Sequence, residues 1–200
     1  MTLAERRRYL IALQKKSWDI VWTYDMGRLA DNGFSEAITG NASGLLKNDG
    51  YYLTSYNSEA LDYIRFRPSV TTCLGGVVEV QIKILEFAPR FNGFRLTLSN
   101  GIEGAQIAIN KGNLYVLKEG ETATGEASYA SPSICATLNV NTDYLLRMEF
   151  DINNGTKVYL DNILVYDKKN FSNVYCTINN IYQQSGGQTI LKSLKYKFIR

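Results

Sequence analysis

The chain has no histidine among its 200 residues. This excludes the Ser-His-Asp and Cys-His catalytic schemes and every His-ligated zinc or iron site. Cysteine is scarce. Cys73, Cys135 and Cys176 are odd in number, no two are close in sequence, and no Cys-x-x-Cys pair exists. Reduced thiols are the simplest reading, and a redox or zinc role has little support. No run approaches the ~18 apolar residues of a membrane helix. Charge of one sign is lacking too: 22 basic against 19 acidic residues leave +3, too little to argue for a nucleic-acid partner. Proline occurs only at Pro68, Pro89 and Pro132.

What is present suits a folded globule. A hydrophobic fraction of 45% and a charged fraction of 20% exclude a disordered chain. A chain of this length buries roughly 70% of its unfolded surface, so it needs no disulfide or metal to fold. One domain is the expectation.

The N-terminus departs from the rest. Arg6, Arg7 and Arg8 precede only Tyr9-Leu10-Ile11-Ala12-Leu13 before Gln14, Lys15 and Lys16. A signal peptide needs an apolar core of ~7–15 residues and a small-residue cleavage site. Thr2 and Glu5 have capping-box spacing, and Leu3, Leu10 and Leu13 fall near one helical face. Residues 1–17 are therefore expected to form a short basic amphipathic helix. It either docks a protein partner, a second copy or an anionic surface, or packs on its own domain. Cytoplasmic synthesis follows, with association to a virion or another assembly as the accompanying expectation.

From residue 18 to 200 the spacing changes to alternation. Val78, Val80, Ile82 and Ile84 alternate with Glu79, Gln81 and Lys83. Phe94, Leu96 and Leu98 alternate with Arg95 and Thr97. Tyr144 to Ile152 and Leu194 to Phe198 repeat the pattern. Period two means strands with one buried and one polar face. Asn100-Gly101, Asn154-Gly155 and Asp161-Asn162 punctuate the runs as tight turns. The sequence predicts an all-β, antiparallel two-sheet sandwich, with Ser193–Ile199 closing near Ile20–Tyr24. The stretch from Gly120 to Ser128 reads as a loop inside this single domain.

The run from Tyr144 to Val165, YLLRMEFDINNGTKVYLDNILV, resembles a hairpin of the concanavalin A-like lectin/glucanase superfamily, in particular its laminin G-like members. Ile107-Ala108-Ile109, Leu114-Tyr115-Val116 and Gly50-Tyr51-Tyr52-Leu53 fit neighbouring strands. The resemblance implies a jelly-roll sandwich over residues 20–200. The fold itself hosts lectins, glycosidases, lyases and adhesion modules. Laminarinase-like hydrolases of the superfamily carry two glutamates in Glu-x-Asp-x-Glu or Glu-x-Asp-x-x-Glu. Here Glu149-Phe150-Asp151 is followed by Asn153 and Asn154, so the second glutamate is absent. A small domain with such a leading helix and no export signal is similar to a phage or prophage structural component.

Candidate sites follow from parity and from this resemblance. Glu149 shares a face with Arg147, and Glu79 from another strand is the candidate second acid. The bland alternative is cross-strand ion pairing with Arg95, Lys83 or Lys157. Tyr159 should face outward between inward Val158 and Leu160, where a sugar ring stacks on its π face. Tyr129 and Tyr182 are further groove candidates, and Trp18 and Trp22 read as a staple between helix and sandwich. Glu79, Gln81, Arg95, Arg147, Glu149 and Tyr159 thus form the expected ligand surface. The resemblance implies calcium at a loop rim, and Asp151 and Asn153 supply closely spaced oxygens for it. A plain hairpin turn explains the same residues, and explains Asp161. No other cofactor is expected. The expectation is a non-catalytic binding or structural module, carbohydrate-binding or part of a phage-like or surface assembly. The alternatives are a glycoside hydrolase or lyase with an atypical acid pair, and a protein assembly domain docking through its helix.

Overall fold

The structure, a computed structural model, describes residues 18–56, 62–68, 75–89, 93–99, 104–116, 133–151, 155–168, 178–184 and 186–199. The expected helix over residues 1–17 lies outside them. Among the described residues the strands are β1 (Ile20–Thr23), β2 (Phe34–Thr39), β3 (Ala42–Lys47), β4 (Gly50–Ser55), β5 (Tyr63–Pro68), β6 (Gly75–Glu86), β7 (Phe94–Ser99) and β8 (Gly104–Asn110). β9 (Asn113–Val116), β10 (Ser133–Thr137), β11 (Asp143–Asp151), β12 (Gly155–Leu160), β13 (Ile163–Lys168), β14 (Ile178–Gln184) and β15 (Gln188–Ile199) complete them. Two short 3-10 turns, Tyr24–Met26 and Leu29–Asn32, join β1 to β2.

Two antiparallel sheets form the sandwich. The larger runs β13-β12-β11-β6-β15-β4-β3, with β1 also on β15. The smaller runs β10-β9-β8-β7-β14-β5-β2. The expected closure of the last strand on the first is present: Ile20 faces Tyr196 and Trp22 faces Leu194. The predicted alternation also holds. Val78, Val80, Ile82 and Ile84 are buried, as are Leu146, Met148 and Phe150, and Leu194, Tyr196 and Phe198.

Turn chemistry sets register. Asp161 and Asn162 both take positive φ, 50° and 68°, the signature of a two-residue I′ hairpin between β12 and β13. Asp161 Oδ1 accepts from the Leu145 N–H at 2.8 Å, so the carboxylate serves the neighbouring strand β11. Lys111-Gly112 makes the equivalent turn between β8 and β9.

The core spans both sheets through aromatic rings. Trp22 packs on Tyr51 with centroids 6.3 Å apart, and Tyr51 packs on Phe66 at 5.6 Å. Tyr51 is fully buried, and its hydroxyl donates to Glu36 Oε1 at 3.2 Å. Arg28 holds the other Glu36 oxygen at 2.8 Å. Gly44 is required here, because a Cβ would stand 2.7 Å from the Tyr51 hydroxyl.

Burial, reinforced by the Glu36 carboxylate, pushes the Tyr51 hydroxyl from 10.0 up to about 12. Burial also raises Tyr196. A phenol raised in the fold favours the folded state while it stays neutral. That stability is complete below the unfolded value near pH 10 and drains as pH climbs through 12. Urea midpoints should therefore fall steeply across this window, and Tyr51→Phe should flatten part of the slope. An unchanged slope would contradict the burial of this hydroxyl.

Candidate functional site

The register of the larger sheet assembles an outward row. Lys195 on β15 faces Glu79 on β6, Glu79 faces Arg147 on β11, and Arg147 faces Tyr159 on β12. These residues point away from the core because their neighbours Leu194, Tyr196, Val78, Val80, Leu146, Met148 and Val158 point into it. Lys195 Nζ donates to Glu79 Oε1 at 2.6 Å. The same ammonium lies 5.7 Å from the Trp18 ring centre. At the other end the Arg147 guanidinium lies 5.8 Å from the Tyr159 ring centre. The row thus has an aromatic ring at each end and alternating donors and acceptors between. All five of its residues, Glu79, Arg147, Tyr159, Lys195 and Trp18, are partly accessible to solvent.

A second row lies two residues further along the strands, about 6.6 Å away at ~3.3 Å per residue. Lys197 faces Val77, Val77 faces Glu149, Glu149 faces Lys157, and Lys157 faces Asp167. Arg147 Nη2 reaches across from the first row to Glu149 Oε1 at 2.5 Å. Lys157 approaches Asp167 only to 3.9 Å. In the opposite direction Gln81 sits exposed, facing Leu145 and Ser193.

A pocket of about 210 Å³ opens beside the second row, where β6 and β12 begin and β11 and β15 end. Gly76, Val77, Glu149, Phe150, Gly155, Lys157 and Ile199 line it. Ile199, Gly75, Asp151 and Gly155 share the last register row, so two of its four positions carry no side chain.

The expected ligand surface therefore divides. Glu79, Gln81, Arg147, Glu149 and Tyr159 come together on the larger sheet. Arg95 does not join them: it lies on β7 in the smaller sheet, only 6% exposed, among Thr97, Gln106 and Ala108, which are buried with it. Alternation places Arg95 on the polar side of a strand, but nothing local in sequence says which sheet that strand enters. Arg95 and Lys83 are likewise not the ion-pair partners of the two glutamates. Lys195 and Arg147 are. Lys195 lies in the alternating run Leu194 to Phe198, and only the pairing of β15 with β6 reveals its partner. The staple expected from Trp18 and Trp22 resolves into two environments, since Trp22 is fully buried and Trp18 sits half exposed over Lys195. Tyr129 lies outside the described residues, and Tyr182 is on β14 of the smaller sheet.

For the ion suggested by the resemblance, Asp151 ends β11 and Asn153 lies outside the described residues. Among the described residues no group of three or more acidic or cysteine side chains stands close enough to hold a metal. Among the same residues no helix is long and apolar enough to cross a membrane.

No family model matches the chain, and no curated protein matches it in sequence. Solved structures do match in shape. The carbohydrate binding module CBM66 from Bacillus subtilis is 16% identical, covers 82% of this chain and 95% of its own, and superposes with a TM-score of 0.56. The carbohydrate recognition domain of Emp47p is 10% identical over 91% of this chain and 96% of its own, with a TM-score of 0.61. The cellulose induced protein Cip1 is 10% identical over 89% and 96%, with a TM-score of 0.63. At these identities the likeness is one of fold. The molecule shares with them an antiparallel two-sheet β-sandwich fold.

Proposed function

We propose that the chain is a non-catalytic carbohydrate-binding module whose platform is the outward face of the larger sheet. The observation that carries this is the row from Trp18 through Lys195, Glu79 and Arg147 to Tyr159. A sugar presents C–H faces and hydroxyls together, and the row offers rings for the former and charged groups for the latter. The cross-strand ion pairs hold these groups in place before a ligand arrives, which lowers the ordering cost of binding. The carbohydrate-binding neighbours of the same fold support the reading.

The same geometry argues against glycoside cleavage on this face. Glu79 and Glu149 stand diagonally on adjacent strands, and Arg147 faces Glu79 while binding Glu149. Lys195 occupies the other glutamate. Retaining hydrolysis needs two carboxyls ~5 Å apart and open to the substrate between them. Here a guanidinium reaches from the position facing one carboxylate to the other.

A glycan array probed with purified protein, with and without calcium and with reducing sugars assayed in the same wells, tests this. Saturable binding without product is the expected result. Tyr159→Ala should then weaken binding roughly 3- to 10-fold, the equivalent of one aromatic contact of ~0.5–1.5 kcal/mol. Release of product would overturn the non-catalytic reading and direct attention to Glu149→Gln.

A further inference from the structure

We propose that the pocket beside the second row is a subsite for one neutral hexose ring, gripped by Glu149 and Lys157. The inference rests on the carbohydrate reading and names what this part of the face takes. Size comes first. At about 210 Å³ the pocket falls below the ~300–1,000 Å³ typical of sites for drug-sized ligands, so it suits a single ring. Two of its lining residues, Gly76 and Gly155, carry no side chain and leave room for a ring. Ile199, 40% exposed, and Val77 supply an apolar wall for the C–H face of a ring.

The polar groups then fix the chemistry. Glu149 and Lys157 face each other directly across β11 and β12. Adjacent hydroxyls on a pyranose can donate to the carboxylate and accept from the ammonium at once. Lys157 is available for this because its contact with Asp167 is long, at 3.9 Å, and 39% of its side chain is exposed. Glu149 keeps lone pairs beyond its bond to Arg147. The charge is balanced rather than cationic. Glu149 and Asp167 offset Arg147 and Lys157. A carboxylate or sulfate on the sugar would meet as many anions as cations, which favours an uncharged ring.

The test uses the full chain and simple probes. Methyl glucoside, methyl mannoside and methyl galactoside are titrated separately into isotope-labelled protein, with glucuronate as the acidic probe. Amide shifts are followed at Gly76, Val77 and Gly155. Saturable shifts at these amides with at least one neutral hexoside are expected. They should weaken at least tenfold in Val77→Phe, which fills the pocket from a half-exposed position, and in Lys157→Met, which removes the donor. The dispersed spectrum of each variant reports its folding in the same experiment. Shifts confined to the surroundings of Trp18 and Tyr159, or unaltered in both variants, would overturn the subsite and leave the platform standing. Tighter binding of glucuronate than of every neutral hexoside would overturn the neutral-ring assignment. No shift anywhere, together with a silent glycan array, would overturn the subsite and the carbohydrate reading together.

Discussion

Replacing Trp22 with alanine is expected to cost about 3–5 kcal/mol of folding stability, the range for removing a large buried aromatic. Trp22 has no exposed surface, and its ring begins the Trp22–Tyr51–Phe66 series that ties the two sheets together. Its Nε1–H also donates to the Gly27 carbonyl at 3.0 Å, which fixes the turn after β1. Alanine would leave both a cavity and an orphaned carbonyl. Domains have only ~5–15 kcal/mol of total stability, so much of it would go. Urea unfolding should show a large drop in midpoint with an unchanged slope. Trp18→Ala is the control. Trp18 is half exposed and should cost no more than ~1 kcal/mol. Equal losses in the two variants would contradict the different environments of the two rings.

The second large effect is on binding. Arg147→Ala is expected to weaken glycan affinity about 10- to 100-fold while barely moving the melting temperature. Arg147 holds Glu149 at 2.5 Å and lies under the Tyr159 ring, so it orders two other contact groups besides making its own. Charged hydrogen bonds contribute ~1.5–3 kcal/mol each, and each 1.4 kcal/mol is a factor of ten. The pair with Glu149 is itself partly exposed, at 39% and 30% of the two side chains, so it adds only ~0–1 kcal/mol to folding. Arg147→Lys should recover little affinity, because an ammonium lacks the planar fork that spans a carboxylate and a ring. Calorimetric titration with an array-positive glycan, alongside a thermal melt, separates the two effects. Wild-type affinity in Arg147→Ala would move the platform off this face.

The strands were legible because alternation is local. The runs Val78–Ile84, Tyr144–Phe150 and Leu194–Phe198 announce both their period and their buried side. Asp161-Asn162 announces its turn. What alternation omits is sheet membership. Arg95 and Arg147 look alike in sequence, each on the polar side of a strand, yet they occupy different sheets. The Lys195–Glu79 bond joins residues 116 positions apart, and no spacing rule reaches that far. A register shift adds to the difficulty. β15 changes phase between Leu191 and Ser193, so only the half after Lys192 reads as a clean alternation. The pocket was hidden for a different reason: its lining comes from β6, β11, β12 and β15, which become neighbours only in the assembled sheet. The helix expected over residues 1–17 lies outside the described residues.

The position of β15 has a consequence for synthesis. One of its edges is covered throughout by β6, and the other is shared between β4 and β1. Three strands made much earlier therefore wait for the last one, and Ile20 finds its partner at Tyr196. Until then each of the three presents an open hydrogen-bonding edge beside apolar side chains, the arrangement that invites other chains to pair. Long-range closure of this kind is slow compared with local hairpin formation. A nascent chain halted before residue 188 should be held by chaperones or deposited as aggregate, while release of a dozen more residues converts it to a continuous sheet.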